Sequence, residues 1–343
     1  MPDVSRAAIS LLVLAGGLLL LLVLVPRVVL LAFAAMLLAV ALRGAADPIT
    51  VRSGLPERPV VGLVLIATAA LIVLTFALAA PAFAEQVEML FESIPEAAEQ
   101  VAGRLEEHRW GRAVLEELRS GRLLGGSGAA ADGALVAATG TASAITETIL
   151  AFVIGVFLAL TPGVYVGGLT RLVAPSIRPG FRAVLDATGT ALRGWLVGQG
   201  ISMTAVGIMI TLGLWALGVG PAVALGAIAG LLAFVPVIGA IAGAVPALLM
   251  AAGEDLSLVL WVLGLFIVVQ VIEGDVVTPL AQRRTARVHP AILLLFQLAM
   301  FRLFGLLGLF VAAPLAAASI AAVREAYVER WVEAESGSIS PRA

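Results

Sequence analysis

The chain has 343 residues, of which 61% are hydrophobic and 13% charged; soluble globular chains carry about 25% charged residues, so this one reads as a polytopic membrane protein. Cysteine is absent, which excludes disulfides, thiolate metal sites and a cysteine nucleophile. Lysine is absent too, so all 21 basic residues are arginine and no G-x-x-x-x-G-K-[ST] phosphate loop exists to power any process by ATP hydrolysis through that motif.

Residues 8–25 are apolar or small, and a second apolar run, Val28 to Leu42, follows Pro26-Arg27. The first run exceeds a signal-peptide core and no A-x-A cleavage site follows it, so the two are expected to form a tight helical hairpin. A polar linker with Arg43, Arg52 and Arg58 precedes a third span, Val60 to Ala84. Residues 1–84 thus form an N-terminal group of three spans. Residues 85–134 carry charges at nearly every turn with Val87, Leu90, Phe91 and Ile94 at helical spacing, which predicts a small soluble helical insert ending in a glycine-alanine hinge.

A fourth span follows over 135–160, carrying Glu147. Residues 161–194, with three prolines and four arginines, read as an interfacial connector. Residues 195–323 form the remaining apolar core, with Gln199, Ser202, Thr204 and Thr211 embedded in its first span, and 324–343 is a polar tail.

Within that core, residues 221–253 are as apolar as a span but contain Pro221, Pro236 and Pro246. If the arginine-rich breaks at 43–58, 171–193 and 283–287 all lie inside, a single crossing by 221–253 would carry the last of them outside. A hairpin that enters and returns on one side keeps all three inside. The 33 residues of Pro221 to Gly253 also exceed one untilted span of about 20 residues. A proline kink within one long span is the alternative. Residues 290–323, interrupted near "FRLFGLLG" and at Pro314, invite the same hairpin, with one broken helix as the other option. The fold expected is therefore all-α, with about eight hydrophobic elements, one or two broken helical hairpins and the soluble insert.

A hairpin turn inside a bilayer brings backbone polarity where hydrocarbon offers no partner, which makes the turn around Pro236 and Gly239 a candidate pathway wall. Gln270 and Glu273 sit at i and i+3 and share a helix face, with Asp275 off that face. Carboxylates inside spans face a cavity or a partner. Arg302 could neutralise Glu273 across helices, and a pair of interfacial acids balanced by Arg283 and Arg284 is the bland alternative. The candidate solute path comprises Gln199, Pro236, Gly239, Pro246, Gln270, Glu273, Asp275, Pro279, Gln282, Arg302 and Pro314. His108 and His289 stand apart and there is no cysteine, so no metal site is expected. Nothing has the pattern of a catalytic triad, and a non-enzymatic role is expected. The pairs Gly226/Gly230 and Gly239/Gly243 allow close helix approach.

Four stretches, "ALRGWLVGQGIS" (191–202), "LGAIAGLLAFVPVIGAIAGAVPALL" (225–249), "VVQVIEGDVVTPLAQRR" (268–284) and "FGLLGLFVAAPLAA" (304–317), resemble in order and spacing the autoinducer-2 exporter (AI-2E) family of permeases. The resemblance implies a multi-pass protein of the inner (plasma) membrane that contacts lipid and a small-molecule substrate, forms a homo-oligomer such as a pentamer, and binds no nucleic acid; the arginine distribution predicts that both termini are cytoplasmic. It implies no cofactor, with coupling to H+ or Na+ open. Export of a small polar solute, autoinducer-2-like signals among them, is the leading expectation. Cation/proton antiport through Glu273 or Asp275 and a non-transporting membrane scaffold are the alternatives. Ala233, Val237 and Ala240 stand where relatives often have an acid or amide, an aromatic and a proline. Val271 follows Gln270 where a second glutamine is familiar, and Asp275 replaces an amide.

Overall fold

The computed structural model describes residues 2–70, scattered positions between 88 and 116, residues 131–281 and residues 290–327. Every described element is helical, and among the described residues four helices, the bent run Ala291–Tyr327 included, are long and apolar enough to cross a membrane by length and composition, or five if one bent pair counts as a further span. The protein is an all-α polytopic membrane protein. In chain order the helices are α1 (Pro2–Leu24), α2 (Pro26–Ser53), α3 (described over 57–70), α4 (Ala131–Leu160), α5 (Pro162–Leu172), α6 (Arg178–Ala216), α7 (Ala222–Leu232), α8 (Ile238–Glu254), α9 (Leu256–Ile272), α10 (Thr278–Ala281) and α11 (Pro290–Val323). Most of the expected insert at 85–134, the rest of the third span, the basic break at 282–289 and the tail beyond 327 lie outside the described residues.

Contacts divide the chain into two compact units, Met1–Ala70 with Leu150–Gln199 and Gln282–Ala343, and Leu71–Ile149 with Gly200–Ala281. In the first, α2 does not stop at Leu42: it runs through the polar stretch to Ser53. The charges that argued for a linker are met by partners. Arg43 donates to the Ala159 carbonyl at 3.1 Å and to Glu57 at 2.6 Å, and Arg193 pairs with Asp47 at 2.5 Å. The helix ends at Gly54, whose φ of 67° suits glycine and whose amide returns to Thr50.

After Leu160 the chain bends by 85° at Thr161 into α5, with Pro162 at the first helical position, where its missing N–H is not needed. The stretch 161–194 is only partly the expected connector, because its last residues, from Arg178, already belong to the long helix α6. The final helix, α11, is broken at Gly305 (φ 64°, ψ −148°), a conformation open essentially to glycine alone. The break folds the chain back so that Gly308 lies against Met300 and Phe304, and Met300 shares a core with Val311, Ala312 and Leu30. The run 290–323 is therefore a folded hairpin, turned by a glycine, while Pro314 sits buried inside its second arm.

Among the described residues of the second unit, a core is built by Val206, Ile210 and Leu214 of α6, Leu225 and Ala229 of α7, Ala247 and Ala251 of α8, and Val262 and Val269 of α9. Its helices approach closely through small residues. A Cβ at Gly226 would stand 2.8 Å from the Gly207 carbonyl oxygen, and one at Gly230 would stand 2.8 Å from that of Met203. As the contacts step forward along α7 they step back along α6, so the two run antiparallel. Gly243 against Ala229 and Gly239 against Leu232 give the same reversed order between α7 and α8. Residues 221–253 thus form a helical hairpin, not one kinked helix.

Candidate functional site

The hairpin turn, Ala233 to Val237, pairs much of its own backbone. The amides of Phe234 and Val235 reach the carbonyls of Leu231 and Leu232 at 3.2 and 3.0 Å, and the amides of Ile238 and Gly239 reach Pro236 and Val235 at 2.8 and 2.9 Å. Pro236 has no amide to satisfy. The expectation that this turn needs water or protein for its amides is therefore too strong. Its unusual feature lies elsewhere: Val237 has φ 67° and ψ −60°, closing a tight γ-turn of positive φ, which is rare and strained and rarer still for a β-branched residue. The two prolines of this segment differ in role. Pro236 sits in the turn, and Pro246 lies inside α8 without ending it.

Where the turn lies along the bundle follows from its neighbours. Met203 of α6 meets Gly230, close to the end of α7, so the turn comes at the level of the α6 residues just before Met203. Ser202, which adjoins Met203 and is 1% exposed, donates to Oε1 of Glu273 at 2.8 Å. Consecutive helical residues differ in height by about 1.5 Å. The strained turn and the Glu273 carboxylate therefore lie at nearly the same height along α6.

Glu273 takes two further donors: Gln270 Nε2 reaches Oε2 at 3.0 Å, and Thr278 Oγ1 reaches Oε1 at 3.1 Å. Both carboxylate oxygens are thus held by neutral groups from two segments of the chain. Thr278 can reach back because residues 273–277 form one π-helical turn, in which the Thr278 amide bonds to the Glu273 carbonyl. Such a widened turn inserts one residue into an otherwise regular helix and recurs at functional sites.

Of the expected path residues, the structure brings Gln270 and Glu273 into contact and sets Pro236 and Gly239 at their level. Asp275 is exposed in the π turn, and Pro279 is half-buried just beyond it. Gln199 (4% exposed), Arg302 (exposed) and Pro314 (buried) belong to the first unit, and Gln282 lies outside the described residues. Sequence reasoning left Ser202 and Thr278 out of the path because single hydroxyls in apolar helices usually bond their own backbone, as Thr204 and Thr211 do here. It also passed over Gln297, wholly buried in the first unit. No cluster of three or more His, Cys, Asp or Glu that could hold a metal occurs among the described residues.

Residues 9–328 match the model of the AI-2E family transporters, and the chain belongs to that family. It is also 32% identical over 133 residues to YrrI of Bacillus subtilis (strain 168), whose name describes a transport protein; the match spans 39% of this chain and 36% of YrrI.

Proposed function

We propose that the chain is a secondary exporter of a small polar solute, with the Glu273 carboxylate and its Ser202, Gln270 and Thr278 donors as the polar contact on the path. The observation that carries this is the three-donor carboxylate at the height of the hairpin turn. Hydroxyl or amide groups of a solute can exchange with these neutral donors one at a time, so the carboxylate need never be left bare. Autoinducer-2-like signal molecules are one candidate class. On this reading the protein sits in the plasma membrane as a homo-oligomer, both termini cytoplasmic, as the arginine distribution favours.

Cation/proton antiport is the second reading, favoured by the same cluster. The hydroxyl oxygens of Ser202 and Thr278 meet Oε1 of Glu273, and these three oxygens can share a proton or a monovalent cation once the hydroxyls turn their protons away. Proteoliposomes separate the two. Efflux of a polar solute that is indifferent to an imposed pH step supports export. Proton movement driven by a sodium gradient, without solute, supports antiport.

A further inference from the structure

A second polar site lies in the first unit, away from Glu273 in sequence and chemistry. A cleft of ≈ 270 Å³ is lined by Gly163, Val166, Gly167 and Thr170 along one face of α5 and by Arg171, Arg178 and Arg182. Arg178 is fixed in place: its Nε donates to the Val173 carbonyl at 3.0 Å and its Nη2 to the Arg171 carbonyl at 3.3 Å, leaving Nη1 uncommitted. No salt bridge among the described residues engages any of the three guanidiniums. Three positive charges around a concave, glycine-walled space ask for an anion, and the planar guanidinium fork suits phosphate. Thr170 spends its hydroxyl proton on the Val166 carbonyl, so recognition rests on the arginines.

The rest of α5 indicates which anion. Val164, Leu169 and Leu172 are 69%, 45% and 61% exposed, so the helix beside the basic cleft carries an apolar surface. It also leaves α4 at 85°, the geometry of a helix turning from a span to lie along the interface. We propose that this cleft binds the phosphate of an anionic phospholipid headgroup, with the acyl chains against the apolar side of α5. Free phosphate shares the headgroup chemistry but has no use for that apolar side.

The test uses the full chain purified in detergent micelles that contain phosphatidylglycerol and phosphatidylcholine in equimolar amounts, with bound lipid read by native mass spectrometry. Wild-type protein should retain phosphatidylglycerol selectively. Arg171→Gln/Arg182→Gln, which spares the carbonyl-bound Arg178, should weaken that binding roughly 30-fold, at about five-fold per arginine. Gly167→Leu keeps every charge and fills the cleft; a Cβ there meets nothing within 4 Å, so it tests the site even if the double variant folds poorly. If the wild type shows no phosphatidylglycerol selectivity, saturable thermal stabilisation by inorganic phosphate in phosphatidylcholine alone, abolished by both variants, would retain the anion site but overturn the lipid as its occupant. No lipid selectivity in the wild type, or selectivity that survives in either variant, overturns the proposal.

Discussion

Ser202 donates a 2.8 Å hydrogen bond to Glu273, 71 residues further along the chain, and so ties α6 to the π-helical turn after α9. Interhelical hydrogen bonds inside membrane bundles average only about 0.6 kcal/mol. Ser202→Ala should therefore lower the unfolding midpoint by no more than about 2 °C. If the cluster contacts solute, flux should fall by about ten-fold or more, since the carboxylate would face the solute with its donor set broken. Thermal unfolding and flux measured on one preparation check this; a large stability loss with unchanged flux per folded molecule would make Ser202 purely structural.

Val237 supplies a second contrast. Its positive φ stores about 1–3 kcal/mol, and glycine adopts the conformation without that strain at about 0.5–1 kcal/mol of extra chain entropy. Val237→Gly should thus gain about 1 kcal/mol, seen as a slower thermal inactivation rate. A decrease in stability would show that the valine side chain packs better than its backbone strains.

Close packing can be tested by a pair of glycines. Gly226→Val would place a side chain 2.8 Å from the Gly207 carbonyl oxygen and 2.8 Å from the Thr211 amide, both backbone atoms that cannot swing away. It should cost about 3 kcal/mol or more and sharply lower the yield of folded protein. Gly264 has open space around its Cβ position, and Gly264→Ala should be neutral or stabilising by up to about 1 kcal/mol. Equal yields of the two variants would contradict the packing of α7 on α6.

The hairpin has a topological consequence. The chain contains no cysteine, so single reporters need no background removal. Val223 is 47% exposed at the start of α7, and Glu254 is exposed at the end of α8. Val223→Cys and Glu254→Cys should react with a membrane-impermeant maleimide from the same side; opposite sides would mean that the segment crosses the membrane.

Much of this architecture was legible in the sequence because it rests on charge and on helix breakers. Arginine placement pointed to the 221–253 hairpin, and Gln270 and Glu273 share a face simply by spacing. What was hidden depended on distant partners or on backbone angles. Helix α2 outruns its apolar stretch because Glu57 and the Ala159 carbonyl receive Arg43, and Arg193 meets Asp47. Of the two interruptions that the sequence shows in 290–323, the turn falls at Gly305, within "FRLFGLLG", and not at Pro314, a choice set by a positive φ that reverses the chain where a proline ring does not. Ser202 and Thr278 could not be told from other small polar residues of apolar helices, since only the fold sets them against Glu273.

The most direct measurement is solute flux through proteoliposomes by wild type, Glu273→Asp and Glu273→Gln at matched protein content. The amide keeps the size of the side chain and removes the anion that the three donors converge on. We expect Glu273→Gln to lose at least about 100-fold in flux, the scale of an uncompensated polar contact of about 2.7 kcal/mol, with Glu273→Asp retaining part of the activity. Wild-type flux in Glu273→Gln would contradict a transport role for this carboxylate.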